Sequence, residues 1–154
     1  MQVAVLMGSS ADREVMELTT QLLDHFGVSY FTEVLSAHRN PDRLDSVIEN
    51  AQTNGVRVFI AAAGMAAHLA GAIASRTTVP VIGVPLSVGE LKGMDALLST
   101  VQMPSGIPVA TVSIGKAGAE NAAILAVKIL ALTDQQLQRK LQEFMDNGCR
   151  LPDK

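Results

Sequence analysis

Short apolar runs rich in Val, Ile and Ala alternate along this chain with segments whose apolar residues recur every three or four positions. The first pattern predicts buried strands and the second predicts helices. A strand is predicted over residues 3–7, stopped by Gly8. Val15, Met16, Thr19, Leu22, Leu23 and Phe26 then stripe a helix that Gly27 closes. Residues 29–35 alternate as a second strand. Asn40 is expected to cap the next helix, with Pro41 at its first position and Leu44, Val47, Ile48 and Ala51 as its buried stripe. Asn54-Gly55 ends it. Third and fourth strands are predicted over 58–63 and 81–84, with a small-residue helix around 66–75 between them. A helix over 95–101 and a fifth strand over 109–114 follow. Residues 119–131 are apolar on nearly every face, which predicts a helix buried all round. Thr133-Asp134-Gln135-Gln136 has the form of a capping box. It opens a last helix over 134–147, striped by Leu137, Leu141, Phe144 and Met145 and stopped by Gly148.

Strands alternating with helices imply parallel pairing and right-handed crossovers. The predicted fold is an α/β three-layer sandwich around a parallel five-stranded sheet. Residues 1–132 form its body, and residues 133–154 form a C-terminal helix and tail packed on the same or a neighbouring subunit. In such sheets ligands bind at the carboxyl ends of the strands, so the loops after the strands are where chemistry is sought.

Composition narrows the classes. At 154 residues the chain holds one ordinary domain. Its net charge is −3 and no basic block stands out, which argues against nucleic-acid and anionic-membrane surfaces. Gly, Pro or His interrupts the longest apolar stretches, so no membrane span is expected. The first residues lack the basic leader and cleavage site of a signal peptide. A single cysteine, Cys149, suits a reducing compartment, and the expected location is cytoplasmic. Between residues 58 and 131 the only charged side chains are Arg76, Glu90, Lys92, Asp95, Lys116, Glu120 and Lys128. So small a domain cannot hide that much weakly polar chain by itself, and burial between subunits is the simplest remedy. A homo-oligomer is expected.

Three loops carry candidate chemistry. Gly8-Ser9-Ser10-Ala11-Asp12 follows the first strand and opens a helix, where free backbone N–H groups make an anion site and the hydroxyls of Ser9 and Ser10 add donors. Neither the Walker A pattern nor the dinucleotide fingerprint is present. Ser36-Ala37-His38-Arg39-Asn40-Pro41 follows the second strand, bringing a guanidinium suited to phosphate and an imidazole suited to proton transfer in both directions. The third strand runs into Gly64-Met65-Ala66-Ala67-His68-Leu69, a small-residue loop that lets backbone approach a flat ligand. Taken singly, these residues also fit plain structural roles. Ser10 or Asp12 serves as a helix cap, His38 as a solvated loop residue, Arg39 as a partner of Asp42, and His68 as a core histidine. Taken together, Ser, Asp, His and Arg on neighbouring loops point to a phosphorylated substrate. His25, His38 and His68 lack metal-ligand spacing, so no metal site is expected. Aromatics are 3% with no Trp, which leaves a flavin little to stack on. A receiver-type signalling module lacks its acidic cluster here.

These three loops resemble the motifs of the class I PurE family, the N5-carboxyaminoimidazole ribonucleotide mutases. So do Pro80-Val81-Ile82-Gly83-Val84-Pro85, the segment from Gln102 to Thr111, and Gly115-Lys116-Ala117-Gly118-Ala119-Glu120-Asn121-Ala122-Ala123. The resemblance covers residues 3–132 in order and implies a flavodoxin-like sandwich assembled as a homo-octamer, with sites at subunit junctions. It implies movement of a carboxyl group from the exocyclic nitrogen to C4 of an aminoimidazole ribonucleotide, with no metal, ATP or organic cofactor. By resemblance, His38 is the catalytic residue, Ser9 and Arg39 take the phosphate and ribose end, and Asp12 takes the ribose hydroxyls. Ser36, Ala37, Gly64, Ala66, Ala67, His68 and Leu69 line the base and carboxylate end. The chain departs from the family pattern at Ala11, where a serine is usual, and at Met65 and Ala70, where a glycine and a proline are usual. The alternative function is a catalytically impaired ribonucleotide-binding protein of the same fold.

Overall fold

In the computed structural model, which describes residues 1–151, five parallel strands form one sheet in the order β2-β1-β3-β4-β5. The strands are β1 (Val3–Met7), β2 (Tyr30–Val34), β3 (Val58–Gly64), β4 (Val81–Leu86) and β5 (Ala110–Thr111). Between and after them run α1 (Arg13–Phe26), α2 (Pro41–Thr53), α3 (Leu69–Ala74), α4 (Met94–Val101), α5 (Lys116–Ala131) and α6 (Gln135–Asp146). The sandwich predicted from the sequence is the one observed. Residues 152–154, the end of the predicted C-terminal segment, lie outside the described residues.

The period of two along each strand divides the core into two faces. Val3, Val5 and Met7 of β1, with Val58, Ile60 and Ala62 of β3, pack with Leu23, Phe26, Ala126 and Leu130 of α1 and α5. Ala4, Leu6, Phe59 and Ala61 point the other way, onto Leu44 and Ile48 of α2 and Ile73 of α3. Both faces are covered, so β1 is apolar at every position and buried throughout. Helix α6 closes the first face of its own chain. Leu137, Leu141 and Phe144 are buried there, and the Phe144 ring meets Phe26 edge-on at 5.5 Å between centroids.

The structure departs from these expectations at five points. The fifth strand spans two residues, not 109–114. Gly83 and Pro85 aim their carbonyls at β5, accepting from the N–H groups of Val112 and Gly115. Pro85 has no N–H to return towards that strand, so the ladder lapses there. Asn40 stands at the start of α2, but its side chain makes no capping hydrogen bond. Asp134, not Thr133, caps α6, its Oδ1 accepting from the N–H groups of Gln136 and Leu137 at 2.9 and 3.1 Å. A carboxylate one residue later takes the helix end, and the Thr133 hydroxyl instead accepts from Arg57. Met145, expected on the buried stripe of α6, is half exposed. Helix α5 is buried on most faces, yet Ile124, Leu125 and Ile129 are only partly covered.

Candidate active site

At the carboxyl ends of β1, β2 and β3 the three loops surround a cavity of about 690 Å³. Because β1 lies between β2 and β3, the loops after the outer two strands lean over the loop after the inner one. Ser9, Asp12, Ser36, Ala37, His38, Arg39, Gly64, Ala66, His68 and Leu69 all line this cavity. Ala67 does not. It is buried behind the wall, where its N–H is held by the Ser99 hydroxyl at 3.0 Å.

The first loop is fixed by a reciprocal cap. Ser9 Oγ accepts from the Ala11 N–H at 3.3 Å, while Asp12 Oδ2 accepts from the Ser9 N–H at 2.9 Å. Ser9 uses a lone pair in this bond, so its O–H proton stays available to a ligand. Ser10, expected as a second donor, is exposed and not part of the cavity lining. The Asp12 side chain is 5% exposed. Burial pushes its carboxyl above the usual value of 3.8, and the bond from the Ser9 N–H pulls it partly back. Asp12 is therefore both part of the local turn and one wall of the cavity.

The second loop ends its turn with the Asn40 N–H bonded to the Ser36 carbonyl at 2.9 Å, which leaves His38 and Arg39 exposed at the crest. Arg39 does not pair with Asp42. Among the described residues the ion pairs are Arg43–Glu33 and Arg76–Asp45. Its guanidinium is free for an anion. The rings of His38 and His68 lie 4.9 Å apart between centroids, tilted by 34°. His68 is exposed, so its expected alternative role as a satisfied core histidine does not hold.

The third loop makes a tight exit from β3. Gly64 lies under Val88, and a Cβ there would meet Val88 Cγ2 at 2.7 Å. Met65 occupies the left-handed region with φ 56 and exposes its side chain at the cavity. A glycine is the usual solution at such a backbone angle, and methionine adopts it only with strain.

Sequence reasoning left out the far wall, formed by Leu86 at the end of β4, by Ser87 and Val88 after it, and by Gly115 and Lys116 where α5 begins. Gly115 and Lys116 stood in a motif that carried the family resemblance, but no role had been given to them. A second groove of about 460 Å³ lies between α1, α5 and α6 and holds none of the predicted residues. His25 is remote from the cavity, its ring packed against Phe26 and Phe144.

Comparison with known proteins bears on this arrangement. The family model described as AIR carboxylase matches residues 2–149. The N5-carboxyaminoimidazole ribonucleotide mutase of Haemophilus influenzae is 55% identical over 150 residues, covering 97% of this chain and 92% of that protein. The Bacillus subtilis protein of the same name is 52% identical over 145 residues, covering 94% of this chain and 90% of its own. Among solved structures, the crystal structure of Treponema denticola PurE superposes with a TM-score of 0.88 at 28% identity, covering 96% of this chain and 91% of that one.

Proposed function

The chain belongs to the AIR carboxylase family, and from that premise we propose a cycle in which one imidazole, His38, moves a proton twice inside the cavity. The reaction is that of the N5-carboxyaminoimidazole ribonucleotide mutases. The carboxyl group moves from N5 to C4 of the aminoimidazole ring, an isomerisation within purine biosynthesis.

A carboxylate on the exocyclic nitrogen is a carbamate, and it loses carbon dioxide once that nitrogen is protonated. Protonated His38 gives its proton to N5, the N–C bond breaks, and carbon dioxide is freed beside an electron-rich ring. C4 attacks the carbon dioxide, forming the new C–C bond, and the proton displaced from C4 returns to His38. Atoms and charge balance with no co-reactant. Holding carbon dioxide against C4 supplies an advantage of roughly 7–11 kcal/mol in favourable intramolecular cases. Proton transfer by one positioned group typically gives about 10²–10⁴-fold, which is less. Confinement is therefore the larger effect, and the apolar wall of Gly64, Ala66 and Leu69 serves it.

The observation that carries this reading is the pair of rings, His38 and His68, over a loop whose Ser9 and Asp12 already hold a fixed turn. In the proposed pose, Arg39 and the Ser9 hydroxyl receive the phosphate, and Asp12 receives the ribose hydroxyls. Ser36, Ala37, Gly64, Ala66, His68 and Leu69 surround the base, with Ala67 supporting them from behind. Incubation with N5-carboxyaminoimidazole ribonucleotide alone, without ATP or bicarbonate, tests the reading. Absorbance of the 4-carboxy product rises if it holds; decay to the decarboxylated nucleotide with no such product contradicts it and favours a ribonucleotide-binding protein.

The assembly we propose is a homo-octamer. Leu91, Met94, Leu98 and Val101 are each about half or more exposed, on and just before α4, in the stretch of chain that is poor in charge. No helix among the described residues is long and apolar enough to cross a membrane. A cytoplasmic location is proposed on the strength of the single, exposed thiol of Cys149.

A further inference from the structure

Two cationic side chains line the cavity, Arg39 and Lys116. They stand on opposite walls. Arg39 follows β2, the edge strand beyond β1, whereas Lys116 begins α5 on the β4 and β5 side. Its position is fixed by Gly115, which adopts φ 74 and bonds its N–H to the Pro85 carbonyl at 2.9 Å. Pro85 is in register with Ala63, and Leu86 with Gly64, so Lys116 rises beside the loop that carries Ala66 and His68. Adjacent strands lie about 4.8 Å apart, which separates the ends of β1 and β4 by roughly 10 Å. That span suits a ribonucleotide laid across the strand ends with its phosphate at the Ser9 loop and its base towards β4.

Among the described residues no carboxylate explains a lysine there. The positive end of a helix favours acidic side chains, yet the first turn of α5 has none and starts with a cation. Glu120, one turn on, forms no ion pair with it, and the ion pairs among the described residues lie elsewhere. Asp12 is the acidic group in the cavity lining, and it is tied to the Ser9 N–H on the other side. Among the described residues Lys116 has no ion-pair partner, and its charge sits where it does not help the helix.

Resting on the mutase reading, we propose that Lys116 recognises the migrating carboxylate of the substrate. The substrate brings two anionic groups into one cavity, and each loses water on entry. Arg39 and Ser9 serve the phosphate, which leaves Lys116 as the cationic side chain for the other end. A lysine suits a carboxylate that changes its attachment. Its ammonium is a compact charge on a flexible stem, able to follow the group from N5 to C4, where the planar fork of an arginine would favour one position.

The test is calorimetric titration of the full-length protein with two ribonucleotides, the 4-carboxy product and its decarboxylated counterpart. In Lys116→Gln the carboxylated ligand is expected to bind roughly ten- to hundredfold more weakly, while the decarboxylated one stays within about twofold. Lys116→Arg restores most of the affinity for the carboxylated ligand. The side chain is exposed and its loss removes a cation from a positive helix end, so the variant folds. Equal weakening for both ligands would overturn the assignment by moving Lys116 to the phosphate or the scaffold. An unchanged affinity for the carboxylated ligand would overturn it as well. A wild-type protein that binds neither ligand would instead refute the mutase reading beneath it.

Discussion

His38 and His68 come from loops on either side of β1, and their rings meet at 4.9 Å between centroids with a 34° tilt. Neither ring is held by sequence proximity. The sheet order β2-β1-β3 brings them together over the first loop, and contact between the rings limits the orientations open to His38. The proton-carrying role proposed for His38 needs that restriction, because misplacement at the reacting atom erodes the gain from proximity.

Replacing His38 with Asn removes the titrating group and keeps a polar side chain of similar reach. Turnover is expected to fall at least about 10²–10⁴-fold, the usual range for a general acid and base. Affinity for the 4-carboxy product, measured by calorimetry on the same preparation, should stay within about threefold. Near-normal turnover would remove His38 from the mechanism.

Asp12 separates stability from function. Its carboxyl titrates above 3.8 in the fold because burial disfavours the charged form. A group whose pKa is raised by folding contributes stability that is complete below 3.8 and lost as the pH climbs through its folded value. Asp12→Asn keeps an oxygen to accept from the Ser9 N–H and never acquires the charge. Thermal denaturation followed from pH 3 to pH 8 should therefore show the variant gaining on the wild type as pH rises, while its affinity for the ribonucleotide falls. A wild type that gains on the variant with rising pH would contradict this account of the buried carboxyl.

Gly118 permits the close return of α5 onto the preceding loop. A Cβ at this position would overlap the carbonyl oxygen of Ser113. Gly118→Ala is expected to destabilise the protein by at least about 3 kcal/mol, the upper end for overpacking, since backbone has to move. Urea denaturation measures it, and a change under about 1 kcal/mol would show that the turn relaxes freely.

Leu98 is 57% exposed on the outer face of α4, with Met94 one turn before it. If this face is shared between subunits, Leu98→Glu places a charge in an apolar contact. Light scattering is expected to give an octamer for the wild type and a smaller species for the variant. An unchanged mass would place the subunit contact elsewhere.

Much of this was legible in the sequence because its signals were local. The Val- and Ala-rich strands, the stripe of α1 and the apolar length of α5 each report one environment. The site residues clustered in three loops because parallel strands deliver successive loops to one rim. What escaped was non-local. The two-residue β5 depends on Pro85 in the neighbouring strand, and the cap of α6 on a competition between Thr133 and Asp134. Ala67 sits in the right loop but faces Ser99, which no spacing rule reveals. The wall containing Lys116 lay partly in motifs that carried the resemblance, yet its residues were not assigned to the site, because they follow β4 and β5, distant in sequence from the three loops that announced it. Met65 shows the converse. The sequence marked it as unusual, and the fold explains why by holding it at φ 56.

The central claim is that liberated carbon dioxide stays in the cavity until C4 captures it. Running the conversion of unlabelled N5-carboxyaminoimidazole ribonucleotide in ¹³C-bicarbonate, with carbonic anhydrase present, measures this directly by mass spectrometry of the product. Retention predicts a 4-carboxy product free of label through the first turnovers. A product that acquires the label of the medium at the rate of turnover would mean that the gas escapes and returns, and would contradict the account.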